Sequence, residues 1–406
     1  MPPQNSKNPK TSWVMLGCAW LMGFSMFAPM FCVPPITHII REELVLSNAQ
    51  VSLLFSIPVI MLVLFAVPGG ILADRIGVRK AAGISAIVLI VGSLLRGTST
   101  SFETFLAFTC LYGGGFGLVY PNLPKLVSAW FPPQKVGLAR GISGIYITGM
   151  TTGCALPVAI TLPLVFPITN TFQGIIYIWT IPAVVATILW WAIVKEPSSS
   201  IQSQEAGERV KPSFLVWRSR NLWLVASIFF IVNFHFFTWS GWAPTLLMMK
   251  GAQPDLAALI TSAVIWASIP GTLLIPWASH MLGLRKPFLW GSAIVLALIS
   301  WGAIYLSVPF FWFLMVIAGI CIGGSFAISL ALPAEIVPKD SVGTASGMVI
   351  SIGHIGGFIG PLLAGYIMDA TGTLNLDLIV LIGAAIVSAC LVFTVTETGP
   401  RSRLQK

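Results

Sequence analysis

The chain has 406 residues, of which 56% are hydrophobic and 9% charged, with a formal net charge of +9. Mean hydropathy is +0.90, and the charged fraction is far below the roughly 25% of a soluble domain, so the composition excludes a soluble enzyme and identifies an integral membrane protein. The basic excess lies in one set of loops, which removes any reason to invoke nucleic acid.

Apolar stretches of the roughly 20 residues needed to cross a bilayer recur at about 12–33, 48–73, 80–98, 102–129, 136–161, 173–194, 222–247, 256–280, 287–307, 309–332, 342–368 and 376–395. Lipid offers the backbone no hydrogen-bond partner, so these twelve spans are predicted to be helices. The polar N-terminus carries Lys7 and Lys10 and runs into span 1 without a cleavage-site pattern, as expected of a retained first helix. Taken in order, one set of loops holds Lys7, Lys10, Arg75, Arg79, Lys80, Lys135, Arg140, the 195–220 segment, Arg285, Lys286, Lys339, Arg401, Arg403 and Lys406. The other holds Arg41, Arg96 and Lys250. The positive-inside rule then places both termini in the cytoplasm. The expected location is the plasma membrane, the inner membrane if the source is bacterial. Cys18, Cys32, Cys110, Cys154, Cys321 and Cys390 are scattered singly and read as small buried hydrophobes.

Span 1 places Trp20, Phe24, Phe27 and Phe31 on one helical stripe. Between spans 2 and 3 an abruptly charged run, Gly70-Ile71-Leu72-Ala73-Asp74-Arg75-Ile76-Gly77-Val78-Arg79-Lys80, separates two apolar stretches. Span 4 ends in Tyr120-Pro121-Asn122-Leu123-Pro124-Lys125, where Asn122 and Lys125 share a face. A lysine inside a membrane is costly and marks function by default; snorkelling to the nearby cytoplasmic surface is the competing reading. Gly137-Leu138-Ala139-Arg140-Gly141 opens span 5, which also carries Tyr146. The long polar stretch between Lys195 and Arg220 reads as a cytoplasmic linker, giving an N-terminal bundle over 1–195, a linker over 196–220 and a C-terminal bundle over 221–406.

The second half repeats the first. Gly283-Leu284-Arg285-Lys286 echoes Gly77-Val78-Arg79-Lys80 at an offset of 206 residues (283 − 77). Gly113 and Gly117 of span 4 fall on Gly319 and Gly323 of span 10, and Val136-Gly137 falls on Val342-Gly343. Phe24, Phe27 and Phe31 fall on Phe230, Asn233 and Phe237 of span 7, a second stripe with one amide inserted. Such internal duplication is common among transporters. Trp239 and Trp242 lie close by, either in a cavity or as interfacial anchors. Span 10 adds Ser325 and Ser329 at i, i+4, and Glu335 near its cytoplasmic end as a partner for a basic loop residue. His235 and His354 are the histidines well inside spans.

Two six-helix halves, a central linker and Gly70, Asp74, Arg75, Gly77, Arg79 and Lys80 after span 2 together resemble the major facilitator superfamily over essentially the whole chain. The span 4 stretch through Trp130-Phe131-Pro132 resembles the cyanate and nitroimidazole permease-like and organic-anion branches. The resemblance implies an all-α membrane protein of twelve transmembrane helices in two pseudo-symmetric six-helix bundles, working by alternating access, with spans 1, 4, 7 and 10 lining the site. It assigns gating to Gly70, Asp74, Arg75, Gly77, Arg79, Lys80, Arg140 and Glu335. The second copy has His280 where the first has Asp74, so the gate is expected in the first half, with Asp74 meeting the positive N-terminal end of another helix.

The expected substrate is a small organic anion of the monocarboxylate kind, with Lys125 as anchor, Asn122, Tyr120, Tyr146, Asn233, Ser325, Ser329 and His354 as polar partners, and Phe24, Phe27, Phe31 and Phe237 as walls. The aromatic stripes suit an organic cation as the alternative, and drug efflux is a further one. A receptor that binds without transport is the rival from another class. Spans 1, 4 and 7 bring no acid to the expected cavity, which disfavours a carboxylate-driven proton symporter. Uniport, anion exchange, and proton coupling through substrate or histidine stay open. No Gly-x-x-x-x-Gly-Lys-Ser/Thr run, metal-ligand spacing or Ser/His/Asp set occurs, so no cofactor, ATP drive or enzymatic activity is expected. The partners are then the bilayer, a small-molecule substrate and a coupling proton or exchanged anion, for a monomer.

Overall fold

The structure, a computed structural model, describes residues 9–130, 136–195, 214–338 and 341–399, with the side chains of 9, 10, 128, 129, 136–146, 214 and 215 outside that description. All regular structure among the described residues is helical, and 12 helices are long and apolar enough to cross a bilayer. Large apolar side chains such as Leu64, Ile181, Leu298 and Phe393 stand exposed on their outer faces, where lipid can cover them.

Three spans differ from expectation, each for a local reason. Span 1 does not stop near residue 33: the helix Pro9–Phe31 passes through a turn at Pro34–Ile36 into Thr37–Leu44. Pro34 and Pro35 donate no N–H, so they break the α-helical ladder without ending the helical course. Span 4 is split into Phe102–Val119 and Asn122–Trp130 around Pro121. Span 5, Val136–Ile160, passes through a wide turn at Thr161–Val165 into Phe166–Thr169.

The helices group into two compact units. One comprises Met1–Cys32, Met61–Pro157 and Ile168–Arg209; the other comprises Val33–Ile60, Val158–Pro167 and Val210–Lys406. The division leaves short pieces of spans 1, 2 and 5 with the second unit, so it does not coincide with the sequence halves. Most of the expected linker, 196–213, lies outside the described residues.

Within each unit the duplication is visible as packing. In the first, a methyl on Gly117 would lie 2.8 Å from the Met61 carbonyl oxygen. In the second, Gly323, at the 206-residue offset (323 − 117), is closed against the Ser268 backbone in the same way. Spans 2 and 4, and then spans 8 and 10, thus approach through a glycine that admits no side chain. Gly153 likewise abuts the Phe24 carbonyl of span 1, and Gly356 that of Phe230 in span 7.

The six cysteines are free, but only four are buried; Cys110 is half-buried and Cys390 exposed, which corrects the uniform expectation. Trp239 and Trp242 are 2% and 8% exposed, and Trp242 Nε1 donates to the Pro361 carbonyl at 3.0 Å. They are packed into the second unit and are not interfacial anchors.

Candidate functional site

The charged turn after span 2 is built by backbone first. Span 2 (Asn48–Ile76) and span 3 (Val78–Arg96) are joined by Gly77 alone, at φ 91°, a left-handed conformation that a side chain would strain. Its counterpart Gly283 closes span 8 at φ 68°. The turn sets Asp74 at the end of span 2, and Lys125 of span 4 reaches it: Nζ lies 2.7 Å from Asp74 Oδ1 and 3.0 Å from the Gly70 carbonyl oxygen. Lys125 therefore reaches the turn, and Asp74 meets an ammonium instead of a helix N-terminus. The pair is open to solvent, at 38% and 71% side-chain exposure.

The other charges of the turn have separate tasks. Arg79 Nη2 donates to the Trp191 carbonyl at 2.6 Å and lies over the Trp191 ring, while Trp190 Nε1 donates back to the Arg79 carbonyl; together they fasten span 3 to span 6. Arg75 and Lys80 are exposed. Arg140 and Tyr146 fall where side chains lie outside the described residues.

Around Lys125 the remaining candidates are packed to different depths. Asn122 is fully buried; its Nδ2 donates to the Leu118 carbonyl at 2.8 Å and its Oδ1 accepts nothing. Tyr120 is half-buried beside Phe116. On span 1, Trp20 and Phe24 stack at 5.9 Å and 6°, Phe27 meets Phe116 edge-on at 4.9 Å, and Phe31 is wholly buried. Phe31 is thus a core residue here, and the stripe spends much of its ring area on protein.

In the second unit, Asn233 is buried with Nδ2 on the Phe229 carbonyl of its own helix at 2.9 Å, and Phe237 lies 6.2 Å from Phe55. Ser325 lines a small void with His235 and Ser388 among spans 7, 9, 10 and 12. Ser329 Oγ is buried without a partner. His354 Nδ1 lies 2.8 Å from the Ile350 carbonyl, edge-on to Phe229. These residues belong to the second unit and Lys125 to the first.

Glu335 has a basic loop partner: Arg285 Nη2 donates to Glu335 Oε1 at 2.8 Å, and Thr398 Oγ1 to Oε2 at 2.6 Å. Glu397 accepts the backbone N–H groups of Arg285 and Lys286 at 2.8 and 3.1 Å, capping span 9. Where the first half ties span 2 to span 4 by Asp74–Lys125, the second ties its loop to span 10 by Arg285–Glu335.

Three arrangements were not legible in the sequence. Arg96, read as a loop cation, is 1% exposed, with Nη1 on the Pro29 carbonyl at 2.8 Å and its guanidinium 5.2 Å from Phe105 and 5.1 Å from Tyr112. Asp369 of span 11 accepts from the backbone of Asn48 and Ala49 and from Asn48 Nδ2 at 2.8–2.9 Å, closing the N-terminus of span 2. Arg41 donates to Asn48 Oδ1 at 3.0 Å beside a cavity. Charge in the terminal turns of spans was the available signal for all three.

Comparison with known proteins adds the lineage. The profile of the Major Facilitator Superfamily matches residues 19–253 and 246–406. The hexuronate transporter of Bacillus subtilis (strain 168) is 26% identical over 370 residues, covering 83% of each chain. The cyanate transport protein CynX of Escherichia coli (strain K12) is 25% identical over 362 residues, covering 88% of this chain and 90% of that one. A bacterial homologue of the human lysosomal transporter Spinster, solved inward-facing and unoccupied, superposes with a TM-score of 0.77 at 16% identity, over 96% of this chain and 98% of the other.

Proposed function

Since the chain belongs to the Major Facilitator Superfamily, we propose that it is a transporter of a small organic anion, working by alternating access with Lys125 as the cation the substrate engages. The observation that carries this reading is the Lys125–Asp74 pair at 2.7 Å with both side chains solvent-accessible. An exposed ion pair contributes only about 0–1 kcal/mol, so a substrate carboxylate can replace Asp74 on the ammonium at little cost. Exchange of one carboxylate for the other frees Asp74, and with it the turn at Gly77 that joins spans 2 and 3. Substrate arrival and release of the gate are then the same event, and a single cation suits a monocarboxylate. Relatives named for hexuronate and cyanate, both anions, support the class.

An aromatic cation cage is less well supported, because the faces of Trp20 and Phe24 are stacked on each other and Phe27 is engaged by Phe116. The test is counterflow in proteoliposomes with radiolabelled monocarboxylates, hexuronate and choline. Anion exchange lost in Lys125→Ala supports the reading. Choline exchange that survives the substitution, with no anion exchange by the unmodified protein, overturns it, and saturable binding without counterflow would make the protein a receptor.

A further inference from the structure

The second unit encloses a cavity of about 360 Å³ between the ends of spans 1 and 2 and spans 7 and 11. By the loop-charge bias it lies at the outer face. The volume falls in the range of small-ligand sites, roughly 300–1,000 Å³. Its lining combines apolar Phe55, Trp242, Met248 and Pro361 with basic His38 and Arg41. No acidic side chain lines it among the described residues; Glu42 and Glu43, next along the chain from Arg41, are exposed.

The two basic groups have capacity to spare. Arg41 is half-buried and gives one hydrogen bond, to Asn48 Oδ1, from a guanidinium with five donors. His38 Nδ1 is buried with no hydrogen-bond partner, a costly condition that a bound acceptor would relieve in the tautomer or imidazolium that carries a proton on Nδ1. Thr245 adds a hydroxyl to the lining. Asp369 is already taken by three donors from Asn48 and Ala49, and the exposed Glu42 acts on His38 only through its charge.

We infer that this cavity is a binding site for a small organic anion with an apolar body, the carboxylate on Arg41 and His38 and the body against Trp242, Phe55 and Met248. Its lining does not include Lys125, and the inference is independent of the transport reading. Because Arg41 also holds Asn48, whose amide in turn reaches Asp369, an anion seated there would strengthen the hold of span 11 on span 2.

Calorimetric titration of the purified full-length protein with benzoate, and with choline as cationic control, tests the inference. Benzoate is expected to bind and choline not. Arg41→Gln should weaken benzoate at least tenfold, and Met248→Trp, which fills the apolar part while leaving both basic groups, should do the same. Lys125→Ala should leave this binding in place even where it removes transport. Wild-type affinity in both Arg41→Gln and Met248→Trp, absence of benzoate binding by the unmodified protein, or equal binding of choline would overturn it.

Discussion

Replacing Asp369 by asparagine should loosen the end of span 2 without disturbing the rest of that helix. The carboxylate accepts from Asn48 N at 2.9 Å, Asn48 Nδ2 at 2.8 Å and Ala49 N at 2.8 Å. Asparagine keeps one acceptor oxygen but loses the charge, so part of a set of charge-assisted bonds worth about 1.5–3 kcal/mol each goes, together with about 0.3–1 kcal/mol of favourable interaction with the helix terminus. A net loss of about 2 kcal/mol is expected, and it corresponds to about thirtyfold in the population of the opened end. Hydrogen exchange read by mass spectrometry over residues 46–55 is the assay. The amides of Asn48 and Ala49 should exchange about thirtyfold faster, while those in the middle of span 2 keep their rate. Unchanged exchange in both Asp369→Asn and Asp369→Ala would show that the carboxylate holds nothing, and the latch would have to be abandoned.

Asp74→Asn should lower transport rate while substrate affinity stays equal or tightens, since it removes the charge that the substrate displaces from Lys125; equal loss in rate and affinity would remove it from the gate. Gly153→Leu should destabilise the protein by about 1–3 kcal/mol through overpacking against the Phe24 carbonyl, read as a lower melting temperature, and an unchanged temperature would contradict the close helix approach. Arg285→Gln leaves Glu335, 20% exposed, with Thr398, and should release the 396–399 segment to proteolysis; an unchanged digestion pattern would count against the clasp. Arg96→Lys should also destabilise the protein, because an ammonium does not reproduce the planar stack between Phe105 and Tyr112, and wild-type stability would deny the stack any role.

What could be read in advance was whatever depends on neighbours in sequence or on repetition. The twelve spans follow from hydropathy, and the 206-residue offset led to Gly117 and Gly323, which prove to close equivalent helix pairs. Gly77 and Gly283 were legible for the same reason: a positive φ, used twice. What could not be read depends on partners far along the chain. Lys125 and Asp74 are 51 residues apart, Arg96 and Pro29 67, and Asn48 and Asp369 321. No periodicity links such pairs. Ser325 shows the limit within one helix: its spacing to Ser329 was evident, but which bundle face it occupied depended on spans 9 and 12. Span 1 was cut short because a hydropathy window treats Pro34-Pro35 as an end, whereas the backbone uses it as a bend.

The central claim is that a substrate carboxylate and Asp74 compete for one ammonium. The direct measurement is anion counterflow in proteoliposomes for the unmodified protein, Lys125→Ala and Lys125→Arg, in parallel and at matched protein density. Exchange by the unmodified protein, its loss in Lys125→Ala and partial recovery in Lys125→Arg is the predicted pattern. Undiminished anion exchange in Lys125→Ala would contradict it.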